Sequence, residues 1–180
     1  MSQVNGYVDI PHSSYAVWKT STLGNGYNVD NAWGNQCWDF CAELWHQYNL
    51  TLYTGDGTAA GCWTLMRNTN AQSPFVIIQG KENIKKGDII VWNISAVSGN
   101  GHIAFADEDW HEGMTSIRTL GQMPSVHGLK GSVSLDNMSL NSFLGIFRNT
   151  DWDETPPKPK EKRKKGFPWV IAWNNWDIKY

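Results

Sequence analysis

The spacing of apolar positions along this chain changes partway. From Gln36 onward Cys37, Phe40, Cys41, Leu44, Trp45 and Tyr48 recur at intervals of three and four, the stripe of an amphipathic helix running to about Tyr48. A weaker stripe of the same period, through His12, Tyr15, Val17 and Trp18, predicts a short first helix within residues 1–23, ended by the glycine and asparagine punctuation of residues 23–28. Cys62, Leu65 and Met66 add one or two further helical turns after the glycine-rich stretch 51–61 and before a loop around Ser73 and Pro74. Beyond that loop the period drops toward two. Residues 88–94, 102–106, 116–122 and 143–148 read as strands, the first two introduced by the turns Lys85-Lys86-Gly87 and Gly99-Asn100-Gly101. Helices first and strands afterwards predict an α+β fold with an antiparallel sheet rather than a doubly wound parallel one.

The 180 residues suffice for one domain with its own core and a tail. The composition changes abruptly after Asp151, to Thr155-Pro156-Pro157-Lys158-Pro159 and a charged run ending at Lys165, which reads as a stiff solvated linker. The expected organisation is therefore a domain over 1–152, a Pro/Lys-rich linker over 153–166, and a short aromatic segment over 167–180 that holds Trp169, Trp173 and Trp176. No apolar run approaches the roughly 20 residues of a membrane span. The net charge of −2 gives no drive toward nucleic acid. The first ten residues carry neither a basic start nor an apolar stretch, so synthesis without a secretory leader is expected. Eleven tryptophans are unusual, and two readings stay open: an aromatic core, or surfaces that grip sugars or proteins.

Three cysteines, an odd and small number, point to reduced thiols rather than a disulfide framework. Cys37 opens the predicted helix, where free N–H groups and the helix dipole favour a thiolate. His102 leads a strand, from which an imidazole can serve as base. Taken singly, each residue type at such a position is more often structural than catalytic. Cys41, one turn after Cys37, and Cys62 read as core. His12, His46, His111 and His127 lack ligand spacing with one another. Asp107, Glu108 and Asp109 read as a solvated turn.

The flanking residues change the weighing of Cys37 and His102. The helix-start cysteine and strand histidine resemble those of papain-like enzymes. Asn28-Val29-Asp30-Asn31-Ala32-Trp33-Gly34-Asn35-Gln36-Cys37-Trp38-Asp39 resembles the nucleophile motif of the CHAP family, the cysteine, histidine-dependent amidohydrolases/peptidases. Lys85-Lys86-Gly87-Asp88-Ile89-Ile90-Val91-Trp92, Gly101-His102-Ile103-Ala104 and Thr119-Leu120-Gly121-Gln122 follow in the family's order and spacing, so the resemblance covers about residues 25–150. It implies a papain-like α+β domain, with N-terminal helices before an antiparallel sheet, in which Cys37 attacks an amide carbonyl and His102 moves the proton.

The same resemblance implies an oxyanion role for Gln36 or a neighbouring backbone donor, against the plainer reading of a helix-capping amide. It also implies a calcium ion held by Asn28, Asp30, the carbonyls of Ala32 and Gly34, and Asp39, against an Asx-rich turn; no organic cofactor is implied. Where the family presents Glu-Gln-Asn on the strand after the histidine, this chain has Gly121, Gln122 and Met123. Gln122 could orient His102 if a bulge turns it to the histidine's face. The expected substrate is bacterial peptidoglycan. The expected setting is a phage lysin, made in the host cytoplasm and acting at the wall, or a virion tail component whose 167–180 segment docks on tail proteins. The competing reading is a catalytically degenerate CHAP-fold component that binds glycan or neighbouring subunits without cutting.

Overall fold

The computed structural model describes residues 3–69, 72–96, 99–122 and 131–152. Its elements run β1 (Gln3–Asn5), α1 (Tyr15–Thr22), β2 (Gly26–Asn28), α2 (Cys37–Gln47), α3 (Ala59–Thr69), β3 (Phe75–Ile78), β4 (Ile89–Trp92), β5 (His102–Ala106), β6 (Ser116–Gln122), β7 (Val133–Ser139) and β8 (Phe143–Asn149). Six strands form one sheet in the order β3-β8-β4-β5-β6-β7, every neighbouring pair antiparallel. The α+β reading holds. The sequence pattern underestimated α3 and missed four strands: β1 and β2, which pair parallel in a small separate ribbon, and the edge strands β3 and β7.

The sheet is buried on both faces, and β4 and β5 show why. Ile89, Val91, Ile103 and Phe105 face the helices and pack with Phe40, Leu44, Trp45 and Trp63. Ile90, Trp92, Ala104 and Ala106 face the other way, onto Ile117, Leu140, Ile146 and Ile84. Strands covered on both sides read as continuous apolar runs. Among the described residues the tryptophans are largely core: Trp18, Trp45 and Trp92 are fully buried, Trp45 stacks on Phe75 at 4.1 Å, and Trp18 stacks on Phe40 at 5.5 Å. Trp33, 91% exposed, is the exposed tryptophan among the described residues.

Asp107 is no solvated turn. It is buried and takes Lys19 Nζ at 2.7 Å, Arg118 Nε at 2.9 Å and the Tyr15 hydroxyl at 3.0 Å. Burial pushes its carboxyl up, but these donors together hold it below the usual range. Asp88 of the Lys-Gly-Asp motif is also structural, accepting both Nε and Nη2 of Arg148 at 2.8 Å and the Lys85 N–H at 2.7 Å. Among the described residues no helix is long and apolar enough to cross a membrane. The expected linker and aromatic segment, 153–180, lie outside the described residues.

Candidate active site

Gln36 is the N-cap of α2, and Cys37 is the first helical residue. Asp39, the third residue of the helix, accepts the Gln36 N–H on Oδ2 at 2.8 Å and the Val29 N–H on Oδ1 at 2.8 Å. That carboxylate fastens the preceding loop to the helix and so fixes where the helix, and the thiol on it, begin. The loop itself is tightly wound, with Asn31 and Trp33 at positive φ of 57° and 60°.

His102 reaches the same place from the sheet. Gly101, at φ +73°, precedes it, and a Cβ there would lie 2.6 Å from the Trp92 carbonyl and 2.8 Å from Ala60 Cβ. Only glycine fits, and the turn it permits sets His102 at the start of β5. The imidazole packs beside Trp92, ring centroids 5.6 Å apart. Cys37 and His102 both line one cleft of about 580 Å³, together with Asp30, Trp33, Trp38 and Asn100. The predicted nucleophile and base are thus brought together. Among the described residues no hydrogen bond joins them.

Burial governs both titrations. It raises the Cys37 thiol to about 11, against the pull of backbone N–H groups of Ile103, Trp38 and Cys37 itself. It lowers His102 to about 4, opposed by the charge of Asp136. The resting pair is therefore a neutral thiol beside a neutral imidazole. Cys41 and Cys62 are buried behind Cys37 in the core, as their helical spacing implied.

Gln122 is not turned toward His102. Its side chain is fully buried on the helix side: Oε1 accepts the Tyr27 N–H at 2.7 Å, and Nε2 donates to the Tyr27 carbonyl at 2.7 Å and the Gln36 carbonyl at 2.8 Å. With no bulge to re-aim it, strand alternation puts it opposite the histidine, and its amide is spent on tying β2 and the α2 N-cap to the sheet. Gly121 is the residue beside the imidazole, since a Cβ there would be 3.6 Å from His102 Nε2. Met123 lies outside the described residues. The Gln36 side chain lines the cleft and donates to the Trp33 carbonyl at 2.6 Å.

The expected calcium ligands can be tested against this geometry. Asn28 Oδ1 is buried without a hydrogen-bond partner, and burial pushes the Asp39 carboxyl up to about 6 against the backbone N–H groups of Gln36, Val29 and Asp30. Asp30 contributes to that rise by its charge, and its Oδ1 accepts the Ala32 N–H at 2.8 Å. An orphaned amide oxygen and two mutually repelling carboxylates fit a hard cation. Among the described residues no group of three or more His, Cys, Asp or Glu side chains is gathered for a metal, so such a site would rely on amide and carbonyl oxygens. His12 and His46 are structural: His12 Nδ1 meets the Ile10 carbonyl at 2.8 Å, and His46 stacks on Tyr7.

A D-alanyl-L-alanine endopeptidase of Streptococcus phage B30 is 26% identical over 100 residues, which is 54% of this chain and 22% of that protein; the chain thus spans about a fifth of the relative's length. The crystal structure of a wild-type endolysin, LysIME-EF1, shares the fold with a TM-score of 0.60 at 17% identity, over 76% of this chain and 62% of that one. The CHAP domain family matches residues 23–123, a stretch that contains both Cys37 and His102, and the chain belongs to that family.

Proposed function

We propose that this protein hydrolyses amide bonds of bacterial peptidoglycan, with Cys37 as nucleophile and His102 as its proton carrier. The observation that carries the reading is the meeting of a helix-start cysteine and a strand histidine in one open cleft. His102 takes the thiol proton as sulfur bonds to the amide carbonyl carbon. The oxyanion that forms sits by the backbone N–H groups at the start of α2, where the helix dipole is positive; the Gln36 amide, already donating to Trp33, is an auxiliary at most. His102 then gives the proton to the departing amine as the C–N bond breaks, leaving a thioester. Water, deprotonated by His102, cleaves the thioester and frees Cys37. A neutral resting pair fits this general-base route, in which the thiol ionises only as it attacks.

Asn28, Asp30 and Asp39, with the carbonyls of Ala32 and Gly34, would hold a calcium ion that neutralises the loop's carboxylates and stiffens the approach to Cys37. The phage origin of the endopeptidase relative supports a lysin made in the host cytoplasm and acting at the wall. A virion tail component anchored through 167–180 is the narrower version, resting on the aromatic composition of that segment.

Gly121 favours a second reading, a CHAP-fold module that binds wall or tail partners without cutting, because it leaves His102 with no side-chain partner on β6. Clearing of purified cell walls by the wild type but not by a folded Cys37→Ala variant separates the two. Equal clearing by both proteins would end the Cys37 assignment, and no clearing by either on walls of the proper host would favour the binding module.

A further inference from the structure

The hydrolase reading leaves one gap, the partner of His102 Nε2, and the next strand offers a candidate to fill it. Nε2 lies over Gly121, which has no side chain to meet it. Gly121 pairs across the β6–β7 ladder with Ser134, and Thr119 pairs with Asp136. Directly paired residues present their side chains on the same face, so Ser134 and Asp136 stand on the face of the sheet that carries the imidazole. Ser134 Oγ donates to Asp136 Oδ2 at 2.7 Å.

We propose that Asp136, through Ser134, is the positioning residue of His102, replacing from β7 the side chain that β6 lacks. With its hydrogen committed to the carboxylate, the Ser134 oxygen keeps its lone pairs for a proton on Nε2, directly or through one water in the space above Gly121. Nε2–H then faces the Ser134–Asp136 pair, and Nδ1 is the nitrogen left to take the Cys37 proton. The carboxylate stabilises the imidazolium that forms in transit and disfavours the wrong tautomer. Asp136 is also the charge that opposes the burial-driven depression of His102. The other titratable groups of the cleft, Cys37, Asp39 and Asp30, sit on the α2 side.

The test needs no active enzyme for its first arm, so it stands apart from the hydrolase reading on which the proposal rests. NMR titration of the His102 ring is compared in the full-length wild type, Asp136→Asn, Asp136→Glu and Ser134→Ala. Asp136→Asn should lower the midpoint, Ser134→Ala should lower it less, and Asp136→Glu should restore it, with the differences shrinking in high salt. In wall hydrolysis Asp136→Asn should cut kcat several-fold with KM unchanged, and Asp136→Glu should recover most of it. An unchanged His102 midpoint in Asp136→Asn, or a loss of activity carried by KM alone, overturns the proposal.

Discussion

The side chain of Gln122 donates to the main-chain carbonyl of Gln36 at 2.8 Å, joining two residues 86 positions apart and attaching the strand beside the histidine to the N-cap of the cysteine helix. Its two further bonds to Tyr27 make the amide a three-way tie among β6, β2 and α2. Gln122→Ala should cost about 2–3 kcal/mol of stability, since buried backbone groups lose their partners. The fall in wall-cutting rate should follow the loss of folded protein, with the pH profile unmoved. Denaturant unfolding beside pH–rate curves checks this, and an unchanged stability with a shifted profile would return Gln122 to the chemistry.

How much of this could be read beforehand depends on whether the signal is local. The helix-start position of Cys37 and the strand-start position of His102 were legible because each sits in a short motif that dictates its own setting: the Asp39 cap fixes the start of α2, and Gly101 fixes the turn into β5. Strands β4 to β6 were legible from their apolar runs and turns. By contrast β1, β3 and β7 lie at edges, and β7 reads Val-Ser-Leu-Asp-Asn-Met-Ser with mostly half-buried or exposed residues, so it carries little apolar alternation. The role of Gln122 was hidden because its partners arrive from β2 and the α2 cap. Asp107 looked solvated for the same reason: Tyr15 and Lys19, on α1, come to it from about 90 residues away in sequence.

Gly101→Ala should separate folding of the strand from placement of the base. The added methyl meets the Trp92 carbonyl and Ala60 at a positive φ of 73°, so the turn must shift. Roughly 1–3 kcal/mol of stability should be lost through the strained backbone. Wall hydrolysis should fall further than the folded fraction, because His102 is the next residue. A rate loss no larger than the loss of folded protein would show that the turn does not control the imidazole.

If residues 28–39 hold calcium as proposed, the ion should raise the melting temperature and a chelator should lower it, because it would bind the folded loop only. The effect should vanish in Asp30→Ala, which removes a carboxylate that otherwise repels Asp39. Differential scanning fluorimetry at millimolar calcium is the measurement. An unchanged melting temperature in the wild type would leave residues 28–39 as a hydrogen-bonded turn.

Trp152 is the last core residue among those described. Its indole N–H donates to the His12 carbonyl at 2.7 Å, and its ring lies 6.0 Å from both Tyr15 and Phe105. Truncation after Trp152 should leave the melting temperature close to that of the full chain. Removing Trp152 as well should cost about 3–5 kcal/mol, the usual penalty for deleting a buried aromatic. Equal losses in the two truncations would mean that the remaining residues, 153–180, contribute to the fold.

Glu43 gives the pH dependence its sign. It is fully buried on α2; Oε1 accepts the Val8 N–H at 3.1 Å and Gln47 Nε2 at 2.9 Å, while Oε2 is buried with no partner. Burial raises its carboxyl to about 7, with those two donors pulling the other way. A folded-state value above the unfolded one of 4.5 means the native state holds the proton more tightly. The resulting stability is fully present below about pH 4.5 and is lost as the pH climbs through about 7. Glu43→Gln keeps an acceptor for Val8 and stays neutral at every pH. Relative to wild type, the variant should therefore gain stability between pH 5 and pH 8.5, on the order of 2 kcal/mol, since each tenfold difference in proton affinity is worth ~1.4 kcal/mol. Urea unfolding of both proteins at the two pH values measures the difference directly. A difference between them that stays constant across that range would show that Glu43 is ionised in the folded protein throughout.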